Sequence, residues 1–166
     1  MSFDRRTPQL LHDDHQATIT VIETLEQMLS RAKRSMPDAT DPSVKKSLQT
    51  AASAIEEEIS AHFTFEEEEL FTRLADAGDG AIGAHLAEEH KAILPLGIQM
   101  AALARAALDS GFTDTGWSEF RAVTSELIER MIPHIQKEEM ALLPMLDDLL
   151  DPETDMELST AYAEIQ

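Results

Sequence analysis

Two short segments hold most of the chemistry available to this chain. His62 and Glu66 form one H-x-x-x-E unit, and His134 and Glu138 form a second. Side chains four apart on a helix stack on adjacent turns, so an imidazole and a carboxylate at this spacing reach a common centre. Two more histidines stand upstream, each directly after an acid: Asp14-His15 and Glu89-His90. The chain has no cysteine, which excludes disulfides, thiolate zinc sites, iron–sulfur clusters and cysteine nucleophiles in one step. Imidazole and carboxylate donors without sulfur suit iron, with manganese and zinc as rivals.

These donors need helices to position them, and helix signals dominate. Thr7-Pro8 reads as an N-cap followed by proline at the first helical position, opening a helix to about Arg34. Asp41-Pro42 opens a second helix that ends near Ala77, where Gly78-Asp79-Gly80 breaks it. A third is expected from about Ala81 to Ser110, kinked at Pro95. A fourth is expected from about Trp117 to Asp147, kinked near Pro133. Asp151-Pro152 opens a short final helix. No segment alternates as a strand would. The expected fold is all-α: an up-down-up-down four-helix bundle with a short C-terminal helix, one domain over 1–166 with its core at about 7–147.

The apolar stripes decide where the donors point. Steps of three and four along the second helix give Leu48, Ala52, Ile55, Ile59, His62, Glu66 and Leu70. The fourth gives Phe120, Val123, Leu127, Met131, His134, Glu138, Leu142 and Met145. The first passes through Leu11, His15, Ile19, Ile22 and Leu29, and the third through Leu86, His90, Ile93, Gly97, Ala101, Ala104 and Leu108. Four histidines and two glutamates therefore face one core. Burying carboxylates unpaired costs several kcal/mol, roughly. A bound metal offsets that by turning them into ligands.

The chain also repeats itself. The segment starting at His62 and the one starting at His134 both read H, bulky apolar, two variable residues, E-E, two variable residues, L, bulky apolar. The lone histidine precedes its H-x-x-x-E unit by 47 residues in the first half and 44 in the second. Two helix hairpins related by a pseudo-twofold would set two similar half-sites face to face, which suits a two-metal centre with the glutamates as bridges.

The order H, H-x-x-x-E, H, H-x-x-x-E, from about His12 to Pro144, resembles the hemerythrin-like, HHE cation-binding family. The resemblance implies a four-helix bundle holding two non-haem irons joined by an oxo or hydroxo bridge. It implies His15, His62, His90 and His134 as imidazole ligands, and Glu66 and Glu138 as bridging carboxylates. Oxygen carriers of the family look like H-x-x-x-H on the third helix and H-x-x-x-x-D on the fourth. Here Leu86 stands four before His90, and Glu139 five after His134. Those departures point away from reversible oxygen carriage and towards members that resemble sensors, peroxide-consuming proteins or iron–sulfur repair proteins. The repair group adds a cysteine-bearing N-terminal segment, which is not expected here because the sequence contains no cysteine.

The remaining polar residues have plainer readings. His12, three before His15, reads first as a capping or surface residue, with an extra ligand or a group supporting the ligands as the alternative, and His85 reads as surface or supporting. Glu67, Glu68, Glu69 and Glu139 read as a solvated face, with Glu67 or Glu139 placed to hydrogen-bond a ligand imidazole. The net charge of −19 favours solubility and repels phosphate backbones and anionic lipid, so nucleic acid and membrane are poor partners. Met1 to Leu10 has no apolar signal core, and no stretch is expected to reach membrane-span length, so the expected address is the cytoplasm. The oligomeric state is left open, a homodimer included.

Open positions on two reduced irons invite dioxygen, peroxide or nitric oxide. The leading expectation is a di-iron protein that senses or detoxifies such a ligand. A peroxide-consuming, catalase-like activity is compatible, although no further acid–base residue singles it out. The alternatives are an iron-storing or iron-delivering module without redox turnover, and a metal-free interaction bundle.

Overall fold

The computed structural model describes residues 2–32 and 35–165. Among them are five helices and no strand. Helix α1 is Arg6–Arg31. Helix α2 spans 42–76 as one rod that changes pitch. It is α-helical over Pro42–Glu57, π-helical over Glu58–His62, α-helical over Phe63–Phe65, π-helical over Glu66–Leu70 and α-helical over Phe71–Asp76. Helix α3 is Gly80–Ser110. Helix α4 spans 114–149, with a π turn at Glu138–Leu142 between Asp114–Lys137 and Leu143–Leu149. Helix α5 is Pro152–Glu164. Each of the first four helices packs on the next, α4 returns to α1 to close the bundle, and α5 lies against α1.

Local chemistry sets the helix ends. Asp41 caps α2 by accepting from the amides of Ser43 and Val44 at 2.9 and 3.3 Å. Thr113 caps α4 through the Gly116 amide, so α4 starts at Asp114, three residues before the Trp117 read from sequence. Gly111 ends α3 at a φ of 78°, where an L side chain would be strained. Pro95 and Pro133 both lie inside helices that continue past them. The expected end of the first helix, about Arg34, lies outside the described residues.

The expected cap of α1 is not the one the fold uses. Helix α1 begins at Arg6, so Thr7 is inside the first turn. Its free amides are satisfied from the far end of the chain. Asp155 of α5 accepts from the Arg6 and Thr7 amides, both at 2.8 Å, and Asp147 accepts from the Arg5 amide at 2.8 Å. Asp155 is itself buried. Asp155→Ala is expected to destabilise the protein by about 1–2 kcal/mol, as loss of a helix cap does. Urea denaturation checks this; an unchanged midpoint would show that water replaces both bonds.

The core is split in two by a polar layer. Above it, Ile22, Leu25, Ile55, Ile93, Phe120 and Leu127 belong to one apolar cluster. Below it, Leu11, Leu70, Leu74, Leu86, Leu142 and Leu146 belong to another. Gly97 lets α3 close on α2 beside this layer, since a Cβ there would lie 3.1 Å from Ile55 and 3.2 Å from Ile59. The expectation that no stretch reaches membrane-span length is corrected. Gly80–Ser110 is long and apolar enough, by length and composition alone, to cross a membrane. Its alanines and aliphatics make it so because α3 packs along both α2 and α4.

Candidate metal centre

The layer between the two clusters contains all six residues singled out from the sequence. His15 of α1, His62 and Glu66 of α2, His90 of α3, and His134 and Glu138 of α4 are each at most 2 % exposed. The i, i+4 pairs face inwards together because the stripes of α2 and α4 are buried on both sides of them. His62 Nε2 lies 3.4 Å from Glu66 Oε2, and His134 Nε2 lies 2.9 Å from Glu138 Oε1. Across the bundle, His15 Nε2 lies 3.5 Å from Glu138 Oε1 and His90 Nε2 lies 3.4 Å from Glu66 Oε1. One donor atom from each of His15, His62, Glu66 and Glu138 lies within 4.8 Å of the others. The same holds for Glu66, His90, His134 and Glu138. The two sets share both glutamates.

The donor atoms themselves show that a cation fits. His15 Nε2, His62 Nε2 and all four carboxylate oxygens of Glu66 and Glu138 are buried with no hydrogen-bond partner; the close histidine contacts are misaligned for one. Such a concentration of unsatisfied atoms is costly in an apolar core. The opposite ring nitrogen of every histidine is tied down instead. Nδ1 of His15 meets Glu139 at 3.0 Å, that of His90 meets Glu67 at 2.9 Å, and that of His134 meets Glu89 at 2.9 Å. A carboxylate at Nδ1 fixes the tautomer and leaves the Nε2 lone pair for a metal.

Nδ1 of His62 has a different partner, the hydroxyl of Tyr162 at 2.9 Å. The repeat explains why. Asp14 precedes His15 as Glu89 precedes His90, but aspartate is one methylene shorter. Its carboxylate stops 3.7 Å from His62, and Tyr162 fills the gap, donating its hydroxyl proton to Asp14. Phe63, the bulky residue after His62, stacks on the His90 ring with centroids 3.8 Å apart and planes 3° apart.

The chain matches the family model of the hemerythrin HHE cation binding domain over residues 7–146, with a second match over 81–164. The chain belongs to this family. The two matches start 74 residues apart, close to the 75 between His15 and His90 and the 72 between His62 and His134, so the second half of this hemerythrin-family chain echoes the first. No curated protein matches the chain. The family is a cation-binding one, and the buried histidines and glutamates of this member form groups that could hold a metal.

The supporting residues were only partly legible in the sequence. Glu67 and Glu139 both make the imidazole hydrogen bond expected of one of them, to His90 and His15. Glu139 also binds His12, so His12 buttresses the carboxylate behind His15. Glu89 is held in turn by Lys137, which also lies 3.2 Å from the exposed His85. Tyr162 and the buried Glu58 were not singled out at all. Glu58 had a signal, E-x-x-x-H-x-x-x-E over 58–66; Tyr162 had none.

Charge in the metal-free layer follows from these contacts. Burial pulls the His15 imidazole down, but the carboxylates of Glu138 and Glu139 beside it outweigh that and hold its pKa at about 10. Burial and Glu138 act likewise on His134, which sits at about 9. Burial works against the charged form of Glu138, yet Glu66, His134 and His15 keep its pKa well below the usual carboxylate range. Burial raises that of Glu58.

Burial opposes charge on His62 too, yet Glu58 and Glu66 hold it well above its ordinary value; at pH 7 His15 and His134 each carry a proton that a metal must displace. Binding at pH 7 is expected to release about two protons from this pair, so apparent affinity should climb until pH 9–10. An indicator-dye titration measures it, and binding without proton release would contradict the assignment. In the metal-free chain the same shifts contribute stability that is complete below 6.5, their ordinary value, and is lost as pH rises through about 9 and about 10.

Proposed function

We propose that this chain is a non-haem di-iron protein that binds or reacts with dioxygen, peroxide or nitric oxide, in sensing or detoxification. The observation that carries the reading is the pair of four-residue donor sets sharing Glu66 and Glu138. His15 and His62 would serve one ion, His90 and His134 the other, with both glutamates shared. Two imidazoles and two shared carboxylates leave coordination positions open on each ion. Iron, when bound, supplies one-electron redox chemistry and a place for a small ligand.

The chain's own groups fit that role. The carboxylates and phenol at Nδ1 hold four imidazoles in one orientation, which limits rearrangement as charge on the centre changes. The two apolar clusters keep bulk water from the layer, so a small neutral ligand enters more readily than an ion. The bond pairing His15 with Glu139, and those pairing His90 with Glu67 and His134 with Glu89, give each half-site a route for protons towards the surface.

Metal analysis by mass spectrometry on protein purified without added metal, with absorption spectra before and after peroxide or azide, tests the proposal. About two irons per chain with bands that respond to these ligands is the expected result. Zinc alone, or no metal after anaerobic iron loading, would overturn it. A second reading, iron storage or delivery without turnover, draws on the net charge of −19. Rapid metal loss with no change on peroxide addition would favour it.

A further inference from the structure

The repeat that builds two similar half-sites also builds two similar clefts, and these differ in a telling way. Beside His62 a cavity of about 130 Å³ is lined by Asp14, Ala17, Thr18, Glu57, Glu58 and Ala61 among others. Beside His134 a cavity of about 180 Å³ is lined by Glu89, Ala92, Ile93, Glu129, Arg130 and Pro133. Residue for residue the second set is the first shifted by 75 positions on α1 and α3, and by 72 on α2 and α4. The pair at 58 and 130 is where the charge reverses.

Glu58 is only 5 % exposed, and its Oε1 is buried with no hydrogen-bond partner. Its Oε2 accepts from the Thr18 hydroxyl at 3.3 Å and lies 3.7 Å from His62 Nδ1. The π turn Glu58–His62 belongs to this side only; the matching stretch of α4 is ordinary α-helix. Single π turns inserted in α-helices recur at functional sites. Arg130, in contrast, is half exposed and pairs with Glu126 at 3.3 Å. Lys137 adds a second positive charge on that side, bonded to Glu89. Glu58, His62 and Glu66 thus form a ladder at four-residue intervals from cleft to centre, whose twin begins with a cation: Arg130, His134, Glu138.

We propose that the cleft between α1 and α2 is a second metal site, a loading site where Glu58 takes up a hydrated divalent transition-metal ion bound for the His15/His62 half-site. Asp14 and the exposed Glu57 supply the surrounding negative field, and the carboxylate oxygen of Glu58 that lacks a partner is the capturing ligand. Oxygen donors suit a metal ion that still holds water; the imidazoles beyond bind it after water is lost. Arg130 and Lys137 offset the carboxylates of Glu89 and Glu129 in the twin cleft, so cations are drawn there less strongly and metal reaches the centre mainly from one side. The inference rests on the proposed metal centre.

Cobalt(II) added anaerobically to the metal-free full chain tests it, with filling followed by stopped-flow absorption and total binding by equilibrium dialysis. Glu58→Gln keeps the side chain's shape and removes its charge. It is expected to slow filling about tenfold, the low end of electrostatic steering, with the difference shrinking at high salt. Two ions per chain should still bind at equilibrium, while a weaker third ion present in the parent protein is lost. Arg130→Glu is expected to speed filling. Equal rates for the parent and Glu58→Gln, with no third ion, would overturn the loading site and leave the centre intact. Failure of cobalt to bind the parent protein at all would overturn both.

Discussion

Glu66→Ala is expected to empty both metal positions at once. Glu66 belongs to both donor sets, and each of its oxygens is buried without a hydrogen-bond partner. A histidine belongs to one set, so His90→Ala should retain the ion held by His15 and His62. In stability the contrast is between metal-loaded and metal-free protein. A ligand present at a thousand times its Kd stabilises the folded state by about 4 kcal/mol, and that increment disappears with the site. The metal-free chain gains from Glu66 only its charge beside His62 and His134, set against the burial of two orphaned oxygens, so it should lose far less. Metal content per chain and thermal midpoints with and without metal measure both effects. A Glu66→Ala protein that still holds two ions, or melts later than the parent when metal is supplied, would exclude the shared-carboxylate arrangement. The second outcome would favour a bundle with no metal role.

Tyr162 should show the next largest effect, and it should fall on one ion. Its ring is buried among Phe65 and the lower core cluster, and its hydroxyl bridges His62 and Asp14. Truncation to alanine removes a large core side chain, at about 3–5 kcal/mol. Tyr162→Phe keeps the packing and frees His62 Nδ1. Loss of such an outer hydrogen bond weakens metal binding about 10–100-fold. The weakening should be confined to the His15/His62 half-site, whereas Glu89→Gln should weaken the other. Stepwise cobalt(II) titration followed by absorption separates the two ions. Equal weakening of both ions by Tyr162→Phe, or of neither, would contradict the geometry.

Much of this was legible because periodicity and polarity disagree at six places. His15, His62, Glu66, His90, His134 and Glu138 each fall on an otherwise apolar stripe, and the structure buries every one. Stripe prediction was also sound for the apolar neighbours on α2, all of which are buried from Leu48 to Leu70. It failed at Glu58. Steps of three and four allow either 58 or 59 between Ile55 and His62, and the apolar Ile59 was the natural choice. The π turn carries an extra residue per turn and buries both.

The sequence by itself determined the helices, their inward faces and the pairing of two half-sites. These depend on residues three to eight apart, and on a repeat visible in the letters. Tertiary structure alone decided who holds whom. Glu89 reaching His134, Asp155 capping α1 and Tyr162 reaching His62 join residues 45, 148 and 100 positions apart. No local pattern encodes such contacts, because each depends on how rods of fixed length and register come to lie side by side. The exchange of a carboxylate for a phenol behind His62 is of that kind: one missing methylene in Asp14 matters only once α5 has been folded back across α1.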